Sequence, residues 1–162
     1  VLIVDDRVAQ LRLARDDNVY YEQALKKFKH AIYMARYVQN PLREVCALDN
    51  NPGNPEESDL FQLQLHPYQS SVPAVYLRRV FTRELCMEVV NAGVCLQDAM
   101  AYQDAYSELR FIPGLGFRKV RSIIDKLVVE GKGLRNRDDL KTVLGLGDVV
   151  FKNCNGFIRM IE

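Results

Sequence analysis

The chain has 162 residues, of which 48% are hydrophobic and 27% are charged, and its formal net charge at pH 7 is +1. This composition is ordinary for a globular protein; it excludes the class of strongly charged, apolar-poor disordered chains and gives no overall positive field for nucleic acid. No apolar run in the sequence is long enough to span a membrane, so we expect no membrane partner.

The chain opens with an abrupt apolar run at residues 1–4, without an initial Met, which predicts a strand and a piece of something larger. Asp5 and Asp6 follow and are predicted to cap a helix that extends to about Arg15. Two carboxylates at the end of a strand could instead be one edge of a metal-dependent nuclease site. We favour the cap, because a two-metal site needs further carboxylates on strands that this chain lacks.

A long amphipathic helix is predicted over about residues 20–38. Its apolar positions predict a buried stripe, and its lysines predict a solvated face: Leu25, Phe28, Ile32, Ala35 and Val38, against Lys26, Lys27 and Lys29. Asn40 then predicts a helix cap, with Pro41 as the first residue of a short helix that ends near Asp49.

The middle of the chain is predicted to be a polar loop, an extended segment, a turn and a second long helix. These cover about residues 50–58, 60–65, 66–69 and 73–91, and Gly93 ends the helix. His66 is interpreted as a structural histidine, because no acid or nucleophile accompanies it. A short helix is predicted at residues 96–102.

Four cysteines occur without any Cys-x-x-Cys pair, and the chain has only two histidines. A zinc site is therefore not predicted, and we expect buried, reduced thiols. No catalytic triad and no phosphate-binding loop of the Walker kind is visible. We expect no cofactor, no metal and no enzymatic activity.

Residues 112–120 carry the most informative pattern, a helix-hairpin-helix. Pro113 and Gly114 stop one helix, Leu115 is predicted to fill the groove between the helices, and Gly116 opens a new helix. Thirty-one residues further on, Gly145 and its neighbours repeat the pattern as Gly-Leu-Gly. The chain therefore contains a tandem helix-hairpin-helix module.

Glycines in such a hairpin let the main chain approach a phosphate, and the new helix directs its unpaired amides at it. Cations follow at once, and from residue 107 onward 11 Lys and Arg stand against 7 Asp and Glu. The candidate DNA-binding residues are Gly114, Gly116, Arg118, Lys119 and Arg121. The alternative is that the glycines only permit tight helix packing. We favour that alternative for the second hairpin, where Asp148, Val149 and Val150 replace Phe117, Arg118 and Lys119.

Five segments, in order along the chain, resemble the eukaryotic family of transcription elongation factors called suppressor of Ty, number six, which is related to the bacterial Tex proteins. Residues 35–42 (ARYVQNPL) resemble that family's ALARYLQDPL, and residues 63–69 (LQLHPYQ) resemble LKFHPLQ. Residues 89–94 (VVNAGV) are similar to VNEVGV, residues 114–119 (GLGFRK) to GLGPRK, and residues 150–157 (VFKNCNGF) to VFMNCAGF.

The resemblance implies a central fragment of a longer nuclear protein, mainly α in fold. Residues 1–19 would be the tail of an RNase H-like domain, residues 20–106 a helical core linker, and residues 107–162 the tandem helix-hairpin-helix domain. It implies a non-catalytic transcription elongation factor and histone chaperone. The implied partners are histones, the RNA polymerase II elongation complex, and a duplex DNA or RNA backbone.

Two positions depart from that family. Phe117 replaces its usual proline, and Asp148-Val149 stands where relatives have Pro-Lys. A rival hypothesis is a DNA-repair or nuclease subunit that grips a duplex with the hairpins and holds a metal through Asp5 and Asp6.

Overall fold

The computed structural model describes residues 3–15, 25–50, 58–96, 106–130, 134 and 136–160, with the side chains of residues 128–130 excepted. The chain forms two compact units, Val1–Arg79 and Val80–Glu162. The described residues are mostly helical, with one short parallel sheet, which confirms the mainly α prediction. None of the helices in these ranges is long and apolar enough to cross a membrane.

The first unit is a small group of helices, and its last residues form the start of a longer helix. Its elements are α1 (Arg7–Arg15), α2 (Lys26–Gln39), α3 (Pro41–Leu48), α4 (Asp59–Gln62), a 3-10 turn (Gln69–Ser71) and the first residues of α5 (Ala74–Ala92).

Short-range hydrogen bonds start α1 and α3 where the sequence predicts, whereas the predicted start of α2, near residue 20, lies outside the described residues. The Asp5 carboxylate accepts the Arg7 amide at 2.9 Å, so Asp5 caps α1. The Asn40 side chain likewise accepts the Arg43 amide at 3.0 Å, with Pro41 as the first residue of α3. Both predicted caps are confirmed.

The predicted strand at the start of the chain is not formed by its described residues. Ile3 and Val4 have no strand pairing, and residues 1–2 lie outside the described ranges. The extended segment predicted at residues 60–65 is also wrong in part, because Asp59–Gln62 is a helical turn. His66 does have a structural role, since its Nδ1 accepts the Tyr68 amide at 3.2 Å.

The core of the first unit uses a different face of α2 from the predicted one. Leu25 and Phe28 are 69% and 63% exposed, whereas Lys29 and Tyr33 are buried. Tyr33 lies below the guanidiniums of Arg12 and Arg36, at 5.4 and 5.9 Å from its ring centre. The predicted apolar stripe is therefore wrong, because α1 and α3 pack on the side that carries the tyrosine.

A buried ion-pair network joins the three helices of this core. Glu44 of α3 is 1% exposed and pairs with Arg12 of α1 at 3.2 Å and with Arg36 of α2 at 2.9 Å. These residues are 32 and 8 positions from Glu44 in the chain. The network gives the buried carboxylate of Glu44 two cationic partners, as a buried charge requires.

The second unit begins within α5 and holds the hairpins. Its further elements are β1 (Val94–Cys95), α6 (Tyr106–Leu109), α7 (Phe117–Glu130), α8 (Asp139–Thr142), α9 (Asp148–Cys154), a 3-10 turn (Asn155–Phe157) and β2 (Ile158–Arg159). β1 and β2 pair in parallel, with Val94 opposite Ile158.

Helix α5 ends where the glycine predicts. Gly93 has φ +68° and donates its amide to the Val89 carbonyl at 2.8 Å, which is a left-handed helix cap. The short helix predicted at residues 96–102 lies, apart from Leu96, outside the described residues. All four cysteines are free; Cys46, Cys95 and Cys154 are buried as predicted, whereas Cys86 is only half-buried, so the prediction is wrong for it.

Candidate nucleic-acid interface

The first hairpin, residues 112–116, is a tight turn between α6 and α7. The Leu115 amide donates to the Ile112 carbonyl at 3.0 Å, with Pro113 and Gly114 between them and Gly114 at φ +85°. Proline followed by a glycine with positive φ is the arrangement of a type II β-turn. This turn explains why the sequence needs both residues at these positions.

Leu115 is the apolar anchor of this hairpin. Leu115 is 5% exposed, so it is buried within the hairpin. Four apolar residues follow at helical spacing along α7: Val120, Ile123 and Leu127 are buried, and Ile124 is half-buried. The first hairpin is thus held by burial on both sides of the turn.

The two glycines of the first hairpin have different surroundings. A Cβ on Gly114 would lie 3.2 Å from Asn153 Cβ and 3.5 Å from the Val150 carbonyl oxygen, so Gly114 packs against α9. A Cβ on Gly116 would meet nothing within 4 Å. Gly114 therefore permits the close approach of α9, whereas Gly116 faces open space; both glycines are exposed.

Helix α7 begins at this open glycine. Gly116 accepts the Val120 amide at 3.0 Å and is the N-cap, so the amides of the next three residues have no acceptor within the helix. Arg118 and Arg121 are exposed and stand three positions apart, on neighbouring parts of the α7 surface. Backbone donors, a helix dipole and two guanidiniums thus meet at one end of α7.

Lys119 is engaged inside the hairpin. Its Nζ donates to the Gly114 carbonyl at 2.8 Å. A positive charge at this carbonyl stabilises the turn, while Lys119 itself stays exposed like Arg118 and Arg121. Gly116, Arg118 and Arg121 thus lie at the start of α7, and Gly114 and Lys119 are joined to each other within the hairpin.

The second hairpin, residues 143–147, joins α8 to α9. Gly145 has φ +71° and donates its amide to the Lys141 carbonyl at 3.0 Å, which is again a left-handed helix cap. Lys126 of α7 donates to the Leu144 carbonyl at 2.7 Å. Lys126 follows Lys119 by two helical turns, so one face of α7 holds a carbonyl of each hairpin.

The helix start after the second hairpin already carries a negative charge. Asp148 is the first residue of α9 and pairs with Lys141 at 2.6 Å. The hydrogen bond from Lys141 holds the pKa of the Asp148 carboxyl below its usual range. A carboxylate at this position satisfies the helix dipole itself and repels a phosphate, which favours a structural role for this hairpin.

Sequence reasoning missed the carbonyl contact of Lys126 and the Lys141–Asp148 pair. The Lys141–Asp148 ion pair could have been inferred from the sequence, since the two oppositely charged residues flank the second Gly-Leu-Gly. The hydrogen bond from Lys126 to the Leu144 carbonyl could not have been inferred, because 18 residues separate the two in the chain.

The carboxylates of the rival nuclease hypothesis have partners within the chain. Asp5 pairs with Arg7 at 2.6 Å, and Asp6 accepts the Gln10 side-chain amide at 2.6 Å. Asp5 and Asp6 are thus engaged at the start of α1. Within the described ranges, no three His, Cys, Asp or Glu side chains are grouped as metal ligands.

A family model described as a helix-hairpin-helix motif matches residues 58–161. Curated relatives are transcription elongation factors. The chain is 32% identical to "Transcription elongation factor SPT6" of Candida glabrata over 98% of its length, and 29% identical to that of Drosophila melanogaster over 99%. It is 30% identical to "Suppressor of Ty 6 homolog" of Caenorhabditis briggsae over 82%. The chain spans only 10%, 8% and 8% of these relatives, respectively.

Proposed function

This chain belongs to the helix-hairpin-helix family, and on that premise we propose that it is a non-catalytic segment of a transcription elongation factor that contacts the nucleic-acid backbone through its first hairpin. The observation that carries the proposal is the open start of α7, where Gly116 has no neighbour over its Cα and Arg118 and Arg121 are exposed. Such a site binds phosphates and carries no base sequence preference.

The wider role is proposed from the relatives. Their names are those of transcription elongation factors, and this supports a nuclear location, a place in the RNA polymerase II elongation complex, and histone chaperoning. We further propose the domain division inferred above, in which residues 1–19 end an RNase H-like domain and residues 20–106 form a linker before the hairpin domain. Binding of the chain to purified RNA polymerase II and to histones tests the partner assignments.

Phosphate contact is tested by duplex-DNA binding across a salt series. Each phosphate contact contributes about 0.9 to the slope of log affinity against log salt, so Arg118→Ala is expected to weaken binding and to reduce the slope by about one contact. Arg83→Ala is the matched control, because Arg83 is 81% exposed on α5 and pairs only loosely with Glu84, at 3.8 Å. Equal loss in both variants would mean that binding follows total charge.

A second variant tests the backbone amides without removing a cation. Gly116→Ser places a hydroxyl at the N-cap, where it accepts a first-turn amide and competes with a phosphate for it. We expect weaker DNA binding with no loss of thermal stability, because the position has open space. Unchanged affinity in both Gly116→Ser and Arg118→Ala would make the hairpin a packing element only.

A further inference from the structure

A groove of about 190 Å³ lies between α6 and α7, beside the proposed phosphate site. Tyr106, Phe117, Val120 and Ile124 give it apolar and aromatic walls, and Ser107, Arg110 and Arg121 add a hydroxyl and two guanidiniums. This volume is below the roughly 300–1,000 Å³ of ordinary small-molecule pockets. The groove is suited to one flat ring system.

Phe117 gives this groove its specific chemistry. It is the first residue of α7, and the residue is 46% exposed although it lines the groove. Aromatic rings with exposed faces and guanidinium planes are the side chains on which unpaired nucleobases stack.

The groove and the outward cations form one continuous surface. At about 100° per residue, Arg121 lies about 40° from Phe117 around the α7 axis, and Arg118 lies about 60° beyond Arg121. Arg121 both lines the groove and neighbours Arg118. A strand with its phosphate at Arg118 and Arg121 would therefore present the attached base to Phe117.

We propose that this groove binds an unpaired nucleobase, so that the first hairpin prefers single-stranded nucleic acid to a duplex. The inference rests on the proposed backbone contact and adds the substrate class to it. Paired bases are stacked within a duplex and cannot enter the groove, whereas any unpaired base offers a ring face. The positive rim suits the charge of a nucleic-acid strand.

The test compares the affinity of the 162-residue chain for strands with and without bases. The labelled probes are about a dozen thymidines, an abasic strand with the same number of phosphates, the matching duplex, and an oligouridine that separates RNA from DNA. We expect the thymidine strand to bind about 5- to 150-fold more tightly than the abasic strand, as one stacked base provides. No preference for the strand with bases would overturn the proposal.

Two substitutions of Phe117 locate the effect. Phe117→Leu keeps an apolar side chain without a ring face and should remove the preference, leaving abasic-strand affinity within about twofold, while Phe117→Tyr should retain it. If the Phe117→Leu variant keeps the preference for the thymidine strand, the proposal that the groove binds a base is refuted. Displacement of the thymidine strand by polyglutamate only when Phe117 is present would assign the groove to an acidic protein segment, and would also refute it.

The same measurements separate the two proposals. If Arg118→Ala weakens binding of the abasic strand and the duplex while Phe117→Leu changes nothing, the backbone contact stands and the base groove is lost. If Arg118→Ala changes none of the affinities, the backbone contact itself fails. Thermal unfolding followed by circular dichroism checks that each variant is folded.

Discussion

The buried carboxylate of Glu44 provides the sharpest test of how the first unit is held together. Its side chain is 1% exposed, and those of its partners Arg12 and Arg36 are 13% and 17% exposed. Glu44→Gln keeps the size of the side chain and removes its charge. Two largely buried guanidiniums above Tyr33 then lose the Glu44 carboxylate from their surroundings.

Removing one partner of a buried ion pair costs about 3–5 kcal/mol, because the remaining charge stays desolvated. For a unit of this size, each kcal/mol lowers the melting temperature by about 4–8 °C. We therefore expect Glu44→Gln to lower the melting temperature of the first unit on the order of 12–40 °C. The measurement is thermal unfolding followed by circular dichroism, with urea unfolding to give the free energy.

The control is Glu84→Gln, which removes an exposed carboxylate whose distance to Arg83 is 3.8 Å. An exposed pair of this kind contributes at most about 1 kcal/mol, so the melting temperature should barely change. A loss below about 1 kcal/mol in Glu44→Gln as well would refute the reasoning, since it would mean that water reaches both guanidiniums. Conversely, replacing all three charged residues by apolar ones of similar volume should restore much of the stability.

Three further predictions concern the hairpins and the thiols. Gly114→Ala should destabilise the second unit by at least about 1–2 kcal/mol in urea unfolding, because φ is +85° and the new Cβ meets Asn153. Gly116→Ser should cause no such loss of stability, because a Cβ there meets nothing within 4 Å. Equal losses in the two variants would contradict the difference in the surroundings of the two glycines. The pKa of Asp148 is held below its usual value of 3.8 by Lys141, so the pair stabilises the fold above about pH 4, and this contribution is lost as pH falls through the lowered pKa. NMR titration of Lys141→Met should show the Asp148 pKa rising, and an unchanged pKa would exclude the pair in solution. Iodoacetamide at neutral pH should label Cys86 before the three buried cysteines. It should label Cys86 more slowly than an unfolded cysteine, because burial raises the pKa of the Cys86 thiol. Mass spectrometry identifies the order of labelling, and faster labelling of Cys154 would contradict this prediction.

Local sequence signals predict the starts of α1 and α3, the end of α5 and the turn of the first hairpin. Asn40-Pro41, Gly93 and Pro113-Gly114 act through hydrogen bonds and torsion angles within a few residues, so their effects can be read locally. The repeated Gly-Leu-Gly is also a short-range pattern, and it predicts the helix-hairpin-helix family directly from the sequence.

Tertiary structure alone decided which surfaces these elements present. Helix α2 buries Tyr33 rather than its apolar stripe, because Arg12 and Glu44 meet across 32 residues of chain. The two glycines of the first hairpin look alike in the sequence, yet a side chain on Gly114 would meet α9 and one on Gly116 would meet nothing within 4 Å. Burial depends on contacts between residues far apart in the chain, and the pattern of neighbours cannot specify them.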